Sequence, residues 1–204
     1  FVPSPSMRVV ISEFISLDGV FQAPGGADED PSGGFRHGGW SMRYFDPEVM
    51  GTALMEAVKQ TDATLQGRRT YQISAASWPE RTDDDDPFST LLNKMQKYVV
   101  SDTLTDDDLT WGPATLIRPA ALLDAVAELR DQPGRDLSVT GSTEVAHALL
   151  AADLVDELSR VVEPIVLGGG KTIFPDGGEA RAFELVSTVA ANTGVLLNRY
   201  QRLR

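Results

Sequence analysis

The amino-acid sequence predicts an α/β fold, a single domain with a mostly parallel central sheet, helices on both faces and a C-terminal antiparallel hairpin. Strand-like segments, in which apolar and polar residues alternate, take turns with segments whose apolar residues recur at helical spacing. The last two strand-like segments are joined by Asn192-Thr193-Gly194, a hairpin signal. The chain has 204 residues, of which 42% are hydrophobic and 24% charged, as in one ordinary globular domain.

The elements of the first half follow from local signals. Alternation of β-branched residues predicts a strand over residues 7–17, which the turn signal Asp18-Gly19 ends. Residues 25–39 are rich in Gly, Asp, Pro and Ser, and a loop of this length inside a domain is usually functional or mobile. Asp46-Pro47-Glu48 is a helix-start signature, an N-cap followed by proline and an acid, and the helix is expected to run to Thr61.

The elements of the second half alternate in the same way. A short strand over residues 63–65 leads into a helix that opens at Gly67. The run of acids at 83–86 is interpreted as a solvated loop, with cation binding as the alternative. The further helices are expected at 87–95, from 119 and from 143, and the further strands at 97–101, 115–118, 136–140, 157–167, 183–191 and 195–203.

Composition excludes several classes of function. Lys and Arg number 18 against 30 Asp and Glu, a net charge of −12, which argues against nucleic acid or an anionic membrane as partner. There is no cysteine and only His37 and His147, so we expect no metal site and no Ser-His-Asp triad. No apolar run approaches the ~20 residues of a membrane span, and we expect a cytoplasmic protein. Residues 1–6 are expected to be a disordered or added stretch before a domain over 7–204.

Two strand-to-helix junctions are candidates for phosphate binding, because helix N-termini present N–H groups to anions. Gly67-Arg68-Arg69-Thr70 adds two guanidinium groups, and an Arg pair on a solvated helix face is the alternative interpretation. Gly141-Ser142-Thr143-Glu144 adds two hydroxyls, and an ordinary helix cap is its alternative. The glycines at 168–170 do not have the Gly-x-Gly-x-x-Gly spacing of the dinucleotide fingerprint.

A set of motifs in order carries a resemblance to a known family. The motifs are Ile15-Ser16-Leu17-Asp18-Gly19, Leu65-Gln66-Gly67-Arg68-Arg69-Thr70-Tyr71, Trp78-Pro79, Tyr98-Val99-Val100-Ser101, Val139-Thr140-Gly141-Ser142, Leu154-Val155-Asp156-Glu157-Leu158 and Glu163-Pro164-Ile165-Val166-Leu167-Gly168. Over residues 7–204 the sequence resembles the dihydrofolate reductase-like superfamily. Within it, the sequence is most similar to the riboflavin-biosynthesis reductase domain and its stand-alone bacterial relatives.

The resemblance implies an NADPH-binding sheet, and it assigns residues to parts of the cofactor. Gly67, Arg68, Arg69 and Thr70 would hold the adenosine phosphate and pyrophosphate side, Ser101 the adenine ribose with its 2′-phosphate, and Gly141, Ser142, Thr143 and Glu144 the pyrophosphate. The segment that contains Asp18, Val20 and Phe21 would border the nicotinamide.

Three departures from the family pattern leave questions open. Asp102 stands where dihydrofolate reductases often have a basic residue, so NADH is kept as an alternative to NADPH. Asp46, six positions after Trp40, is either the catalytic carboxylate that protonates the substrate or only the N-cap of its helix. Trp40 and His37 are the candidate substrate contacts, and the long glycine loop before Trp40 means that the substrate need not be a folate.

The expected function is hydride transfer from NADPH to a small pterin, pyrimidine or related heterocyclic or carbonyl substrate. One alternative is the aminopyrimidine reductase of the riboflavin pathway. Another is a non-catalytic nucleotide-binding or dimerisation module. The expected partner is a small-molecule substrate, and the resemblance implies a homodimer.

Overall fold

The computed structural model describes residues 6–81, 86–175 and 177–204. The strands are β1 Arg8–Ser16, β2 Thr61–Gly67, β3 Gln96–Val100, β4 Ala114–Ile117, β5 Asp136–Val139, β6 Glu157–Glu163, β7 Phe183–Ala190 and β8 Leu196–Arg202. The α-helices are α1 Val49–Lys59, α2 Arg68–Ser77, α3 Pro87–Lys94, α4 Leu122–Arg130 and α5 Thr143–Ala151. No helix in these described ranges is long and apolar enough to span a membrane.

The chain divides into two units, each made of two stretches of sequence. The first comprises Phe1–Val10 and Met55–Asp156, and the second Ile11–Leu54 and Glu157–Arg204. The strand β1 contributes its start to the first unit and its remainder to the second.

The first unit has the parallel strand order β4-β3-β2-β5. In its register Leu65 of β2 is opposite Tyr98 of β3 on one side and Val139 of β5 on the other. A core cluster of Tyr71, Val99, Leu104 and Trp111 packs beside these strands. Because parallel strands end at one edge of the sheet, the residues after β2, β3, β4 and β5 meet there.

The second unit has the order β6-β8-β7, and both pairs are antiparallel. Val161 of β6 is opposite Leu197 of β8, which is opposite Val189 of β7. The start of α1 covers this unit through Met50, which packs with Val161, Ala191 and Val195.

The predicted α/β class, with mostly parallel strands and a C-terminal antiparallel hairpin, is confirmed. Two strand lengths differ from the prediction. The strand β2 covers Thr61–Gly67 rather than residues 63–65, and β6 ends at Glu163 rather than at Leu167. Pro164 has no N–H for the ladder, and Ile165 N–H turns back to Glu163 O at 2.7 Å, so the strand stops there. Of the acidic run, residues 83–85 lie outside the described residues, and Asp86 caps α3 by accepting from Ser89 N–H at 3.0 Å.

Candidate functional site

The two predicted phosphate-binding junctions lie against each other in the first unit. Gly67 N–H donates to Gly141 O at 3.2 Å, which joins the end of β2 to the end of β5. A Cβ on Gly67 would lie 2.5 Å from Ser142 Oγ. Only glycine permits this approach, so the starts of α2 and α5 are neighbours because position 67 has no side chain.

A second glycine keeps the same junction close. Gly141 has a φ of +100°, a conformation that other residues rarely adopt, and a Cβ on it would lie 2.9 Å from Thr70 Oγ1. The helices α2 and α5 begin after Gly67 and Ser142, and neither helix start receives a side-chain cap hydrogen bond. Two adjacent helix N-termini whose N–H groups are left uncapped form an anion-binding arrangement.

A buried polar atom beside this junction also lacks a partner. Gln66 is 4% exposed at the end of β2, and its Nε2 donates to Thr140 Oγ1 at 3.2 Å. Its Oε1 is buried and has no hydrogen-bond partner among the described residues. Buried amide oxygens are normally satisfied, so this atom points to a donor that a ligand would supply.

At the end of β3, Ser101 is buried and its hydroxyl is already used. Ser101 Oγ accepts from Thr103 N–H at 3.1 Å and from Leu104 N–H at 3.0 Å, which closes the turn after the strand. The exposed Arg118, at the end of β4, donates from Nη1 to the carbonyls of Ser101 and Leu104, both at 2.9 Å. The guanidinium of Arg118 is therefore fixed beside the segment that carries Asp102.

In the second unit, the predicted nicotinamide-side segment is tied to the glycine run after β6. Asp18 Oδ1 accepts from Ser16 Oγ at 2.6 Å and Oδ2 from Gly168 N–H at 2.8 Å. Burial raises the pKa of Asp18, but these hydrogen bonds outweigh it and the pKa is lowered. Val20 is buried, and a Cβ on Gly170 would lie 2.6 Å from its Cγ1.

The glycine loop over residues 25–39 is anchored at several points. The amide of Gln22 donates to the carbonyls of Asp30 and Ser32, both at 2.9 Å, and Lys171 Nζ forms an ion pair with Asp30 at 2.6 Å. Burial opposes ionisation of Asp30, but the hydrogen bond from Lys171 leads the groups that lower its pKa to about 2. Next to the loop, Phe21 N–H donates a hydrogen bond to Lys171 O at 3.0 Å. The loop is thus fixed in place by polar side chains.

The two predicted substrate contacts differ in accessibility. Trp40 is 6% exposed, and its indole N–H donates to Gln22 O at 2.8 Å, so its polar group is already committed. His37 is exposed and lies edge-on to Phe35, with ring centroids 5.6 Å apart. His37 therefore keeps a polar edge that a ligand can reach.

Asp46 has the contacts of a helix N-cap. Its Oδ1 accepts from the N–H groups of Glu48 and Val49, both at 3.0 Å, and its Oδ2 accepts from Asn192 N–H at 3.0 Å. The Val49 hydrogen bond is the leading cause of a lowered pKa, so the ionised form is held. This is the geometry of the N-cap alternative, and the catalytic role of Asp46 stays a prediction.

A second buried carboxyl lies at the end of β6. Glu163 is 0% exposed, and its Oε1 accepts from Ser41 Oγ at 2.5 Å. Its Oε2 is buried without a hydrogen-bond partner among the described residues. Burial raises the pKa of Glu163 to about 7, against the lowering effect of Ser41.

Local sequence patterns do not mark Glu163, Ser41 or Arg118 as functional residues. An acid at the end of a strand-like apolar segment, next to a proline, was the available signal for Glu163. Its pairing with Ser41, 122 positions away, depends on the fold.

Comparison with known proteins agrees with this architecture. The uncharacterized protein YyaP of Bacillus subtilis (strain 168) is 26% identical over 191 residues, 93% of this chain and 92% of that protein. Two solved structures show the same fold at low sequence identity. The diaminohydroxyphosphoribosylaminopyrimidine deaminase/5-amino-6-(5-phosphoribosylamino)uracil reductase of Thermotoga maritima has a TM-score of 0.63 at 12% identity, covering 97% of this chain and 57% of that one. The dihydrofolate reductase of Enterococcus faecalis complexed with NADP(H) has a TM-score of 0.58 at 16% identity, covering 98% and 99%.

The RibD C-terminal domain family matches residues 7–197, which is most of the chain. The match includes both helix starts of the first unit and the Asp18 and Glu163 segments of the second. The chain belongs to the RibD C-terminal domain family.

Proposed function

We propose that the protein is a reductase that uses NADPH, with NADH as the alternative, to reduce a small heterocyclic or carbonyl substrate. Family membership and the dihydrofolate reductase-like fold support reductase chemistry. The observation that carries the cofactor assignment is the pair of uncapped helix starts at Gly67 and Ser142, held together by two glycines.

The residues of the first unit fit a dinucleotide. The N–H groups at the starts of α2 and α5 would bind the pyrophosphate, and Arg68 and Arg69, both exposed at the start of α2, would bind phosphate oxygens. Thr70, Thr143 and Glu144 lie in the same first turns, where the two hydroxyls can donate to an anion. Ser101, whose hydroxyl is used by its own turn, would act mainly by placing Arg118 through its carbonyl oxygen.

The residues that the family resemblance assigns to the nicotinamide would hold the reacting end. The Asp18 segment, with Val20 and Phe21 as apolar contacts, is proposed for the nicotinamide, and His37 for the substrate. When bound, the reduced nicotinamide supplies the hydride, and the protein orients the partners and excludes water. We propose for Asp46 the N-cap role, since three backbone N–H groups occupy its oxygens.

The substrate alternatives follow from the relatives. The Thermotoga maritima protein is named for reduction of 5-amino-6-(5-phosphoribosylamino)uracil, and the Enterococcus faecalis protein for reduction of dihydrofolate. Both compounds are therefore the first acceptors to test.

The test is a titration of the protein with NADPH and NADH, followed by quenching of tryptophan emission. We expect micromolar binding in the wild type. Gly67→Ala should raise the Kd about tenfold or more, because its new Cβ displaces Ser142 and with it the start of α5. Gly51→Ala is the matched control, since a Cβ there meets nothing closer than Phe45 at 4.0 Å.

Oxidation of NADPH in the presence of each acceptor measures turnover in the same samples. Absence of both NADPH and NADH binding in the folded wild type would refute the proposal and favour a non-catalytic module. An unchanged Kd in Gly67→Ala would show that the helix-start junction is not the phosphate site.

A further inference from the structure

Glu163 combines complete burial with an incomplete set of hydrogen bonds. It is the last residue of β6, its side chain is 0% exposed, and Ser41 Oγ lies 2.5 Å from its Oε1. Oε2 has no partner among the described residues. A buried carboxylate normally collects two or three donors or a cation, so this one is arranged to hold a proton.

The electrostatic surroundings agree with a neutral carboxyl. Burial raises the pKa of Glu163 to about 7, and the Ser41 hydroxyl is the one group that opposes it. No charged side chain in the described part of the chain contributes to the shift. Asp46, the nearest acid along the Ser41 segment, has its own oxygens occupied by backbone N–H groups.

Ser41 is the hydrogen-bond partner of this buried acid. Its backbone is held in place, because Ser41 N–H donates to Pro24 O at 3.1 Å and Tyr44 N–H donates to Ser41 O at 2.9 Å. The residue is 7% exposed, whereas Glu163 is fully enclosed. The Ser41 hydroxyl is the one hydrogen-bond partner that the described residues give to the carboxyl of Glu163.

The pair also lies where the proposed function needs a proton. The carboxyl ends of β1 and β6 are adjacent, because Leu17 N–H donates to Ile165 O at 2.8 Å. Asp18, at the end of β1, belongs to the segment proposed for the nicotinamide. In open α/β sheets ligands bind beyond the carboxyl ends of the strands.

We propose that Glu163 stores the proton consumed by the reduction and delivers it through the hydroxyl of Ser41, a role that rests on the proposed function. The reduced nicotinamide gives a hydride to the carbon of a C=N or C=O bond. In this step the Ser41 hydroxyl turns from Glu163 Oε1 to the nitrogen or oxygen of that bond and gives up its proton. Ser41 Oγ takes in exchange the proton that Glu163 carries on Oε1. Glu163 is left as a carboxylate, which regains a proton from solvent after product leaves. Glu163 is thus a positioning residue, and Ser41 is the catalytic residue that touches substrate.

The first test needs neither cofactor nor substrate. Infrared difference spectra of the protein between acid and alkaline pH should show a protonated-carboxyl band that is lost with a midpoint near pH 7. Glu163→Gln should remove this band. Glu157→Gln is the matched control, because Glu157 lies on the same strand at 4% exposure but is paired with Arg199 at 2.8 Å. Glu13, whose pKa is also raised by burial, can leave a residual band in Glu163→Gln. A component with its midpoint near pH 7 that persists unchanged in Glu163→Gln overturns the proposal.

The second test is the pH profile of single-turnover hydride transfer from NADPH. The wild-type rate should fall about tenfold per pH unit above pH 7, because the stored proton is lost. Glu163→Gln should be about 100-fold slower at pH 6 and independent of pH over this range, with an unchanged Kd for NADPH. Ser41→Ala should reproduce both effects, and Glu157→Gln should keep the wild-type profile in whatever fraction remains folded.

The two failures are distinguishable. In one outcome the wild type turns over, but the single-turnover rate of Glu163→Gln still falls above pH 7. This outcome overturns the proton route and leaves the reductase function in place. Absence of NADPH binding and of turnover in the wild type overturns the proposed function, and the proton route with it.

Discussion

At the scale of single residues, buried carboxyls divide according to what surrounds them. Asp46 is buried with three backbone N–H donors and keeps its charge, whereas Glu163 is buried with one hydroxyl and does not. The difference follows from local geometry, since a helix start supplies N–H groups and the end of an interior strand does not. Two acids that look alike in the sequence therefore carry opposite pKa shifts.

The raised pKa of Glu163 makes the stability of the protein depend on pH. Folded Glu163 binds its proton more tightly than the unfolded chain does, so its contribution to stability is complete below about pH 4.5 and is lost as the pH rises to about 7. The loss is at most about 3 kcal/mol. Urea unfolding measures the free energy of unfolding at about pH 5 and at about pH 8. The decrease between these two pH values should be smaller for Glu163→Gln than for the wild type.

Glu13 also makes the stability of the protein fall as the pH rises. Its pKa is also raised, first by burial and then by Glu29, so Glu163→Gln should reduce the slope without abolishing it. The pKa of Asp30 is lowered to about 2, and its contribution is lost only below about pH 4, outside the measured range. Equal slopes in the wild type and the variant would show that Glu163 is already ionised at pH 5.

At the scale of elements, the ends of β3 and β4 set an electrostatic balance. Arg118 is held between two carbonyl oxygens at the end of β4, and the exposed Asp102 follows β3. If Ser101 borders the 2′-phosphate of NADPH, the guanidinium attracts that group and the carboxylate repels it. Each effect is on the order of 1 kcal/mol in a solvated site.

Substitution of the two residues should shift cofactor preference in opposite directions. Arg118→Met should weaken NADPH about fivefold and leave NADH nearly unchanged, and Arg118→Lys, which keeps the charge, should recover part of the loss. Asp102→Asn should tighten NADPH by a similar factor. The measurement is the ratio of the two Kd values by calorimetry. Equal effects on NADPH and NADH would place the 2′-phosphate elsewhere.

The same elements show what a sequence can predict and where it stops. Strands such as β1 and helices such as α1 follow from local signals, alternation in one and Asp46-Pro47 in the other, so they were predicted within a few residues. The contact of Gly67 with Ser142 and that of Glu163 with Ser41 join residues far apart in the chain. No periodicity records such contacts, so the phosphate site was a hypothesis about two separate motifs and the buried acid was missed.

At the scale of the whole molecule, the net charge of −12 opposes the approach of a polyanionic cofactor. The positive groups proposed for phosphate binding are few and local, namely two helix starts, Arg68, Arg69 and Arg118. Salt screens the distant repulsion over a Debye length of about 10 Å at 0.1 M, but it acts less on N–H groups in direct contact with the phosphates. Repulsion and binding therefore respond differently to ionic strength.

This difference predicts that NADPH associates faster when salt is added. From about 10 mM to about 150 mM ionic strength the association rate constant should rise a few-fold, while the dissociation rate constant changes less. Stopped-flow quenching of tryptophan emission measures both, with reduced nicotinamide riboside, which carries no phosphate, as the ligand whose association should not respond to salt. A rate constant that falls with salt would mean that the local cationic field at the helix starts outweighs the charge of the whole chain.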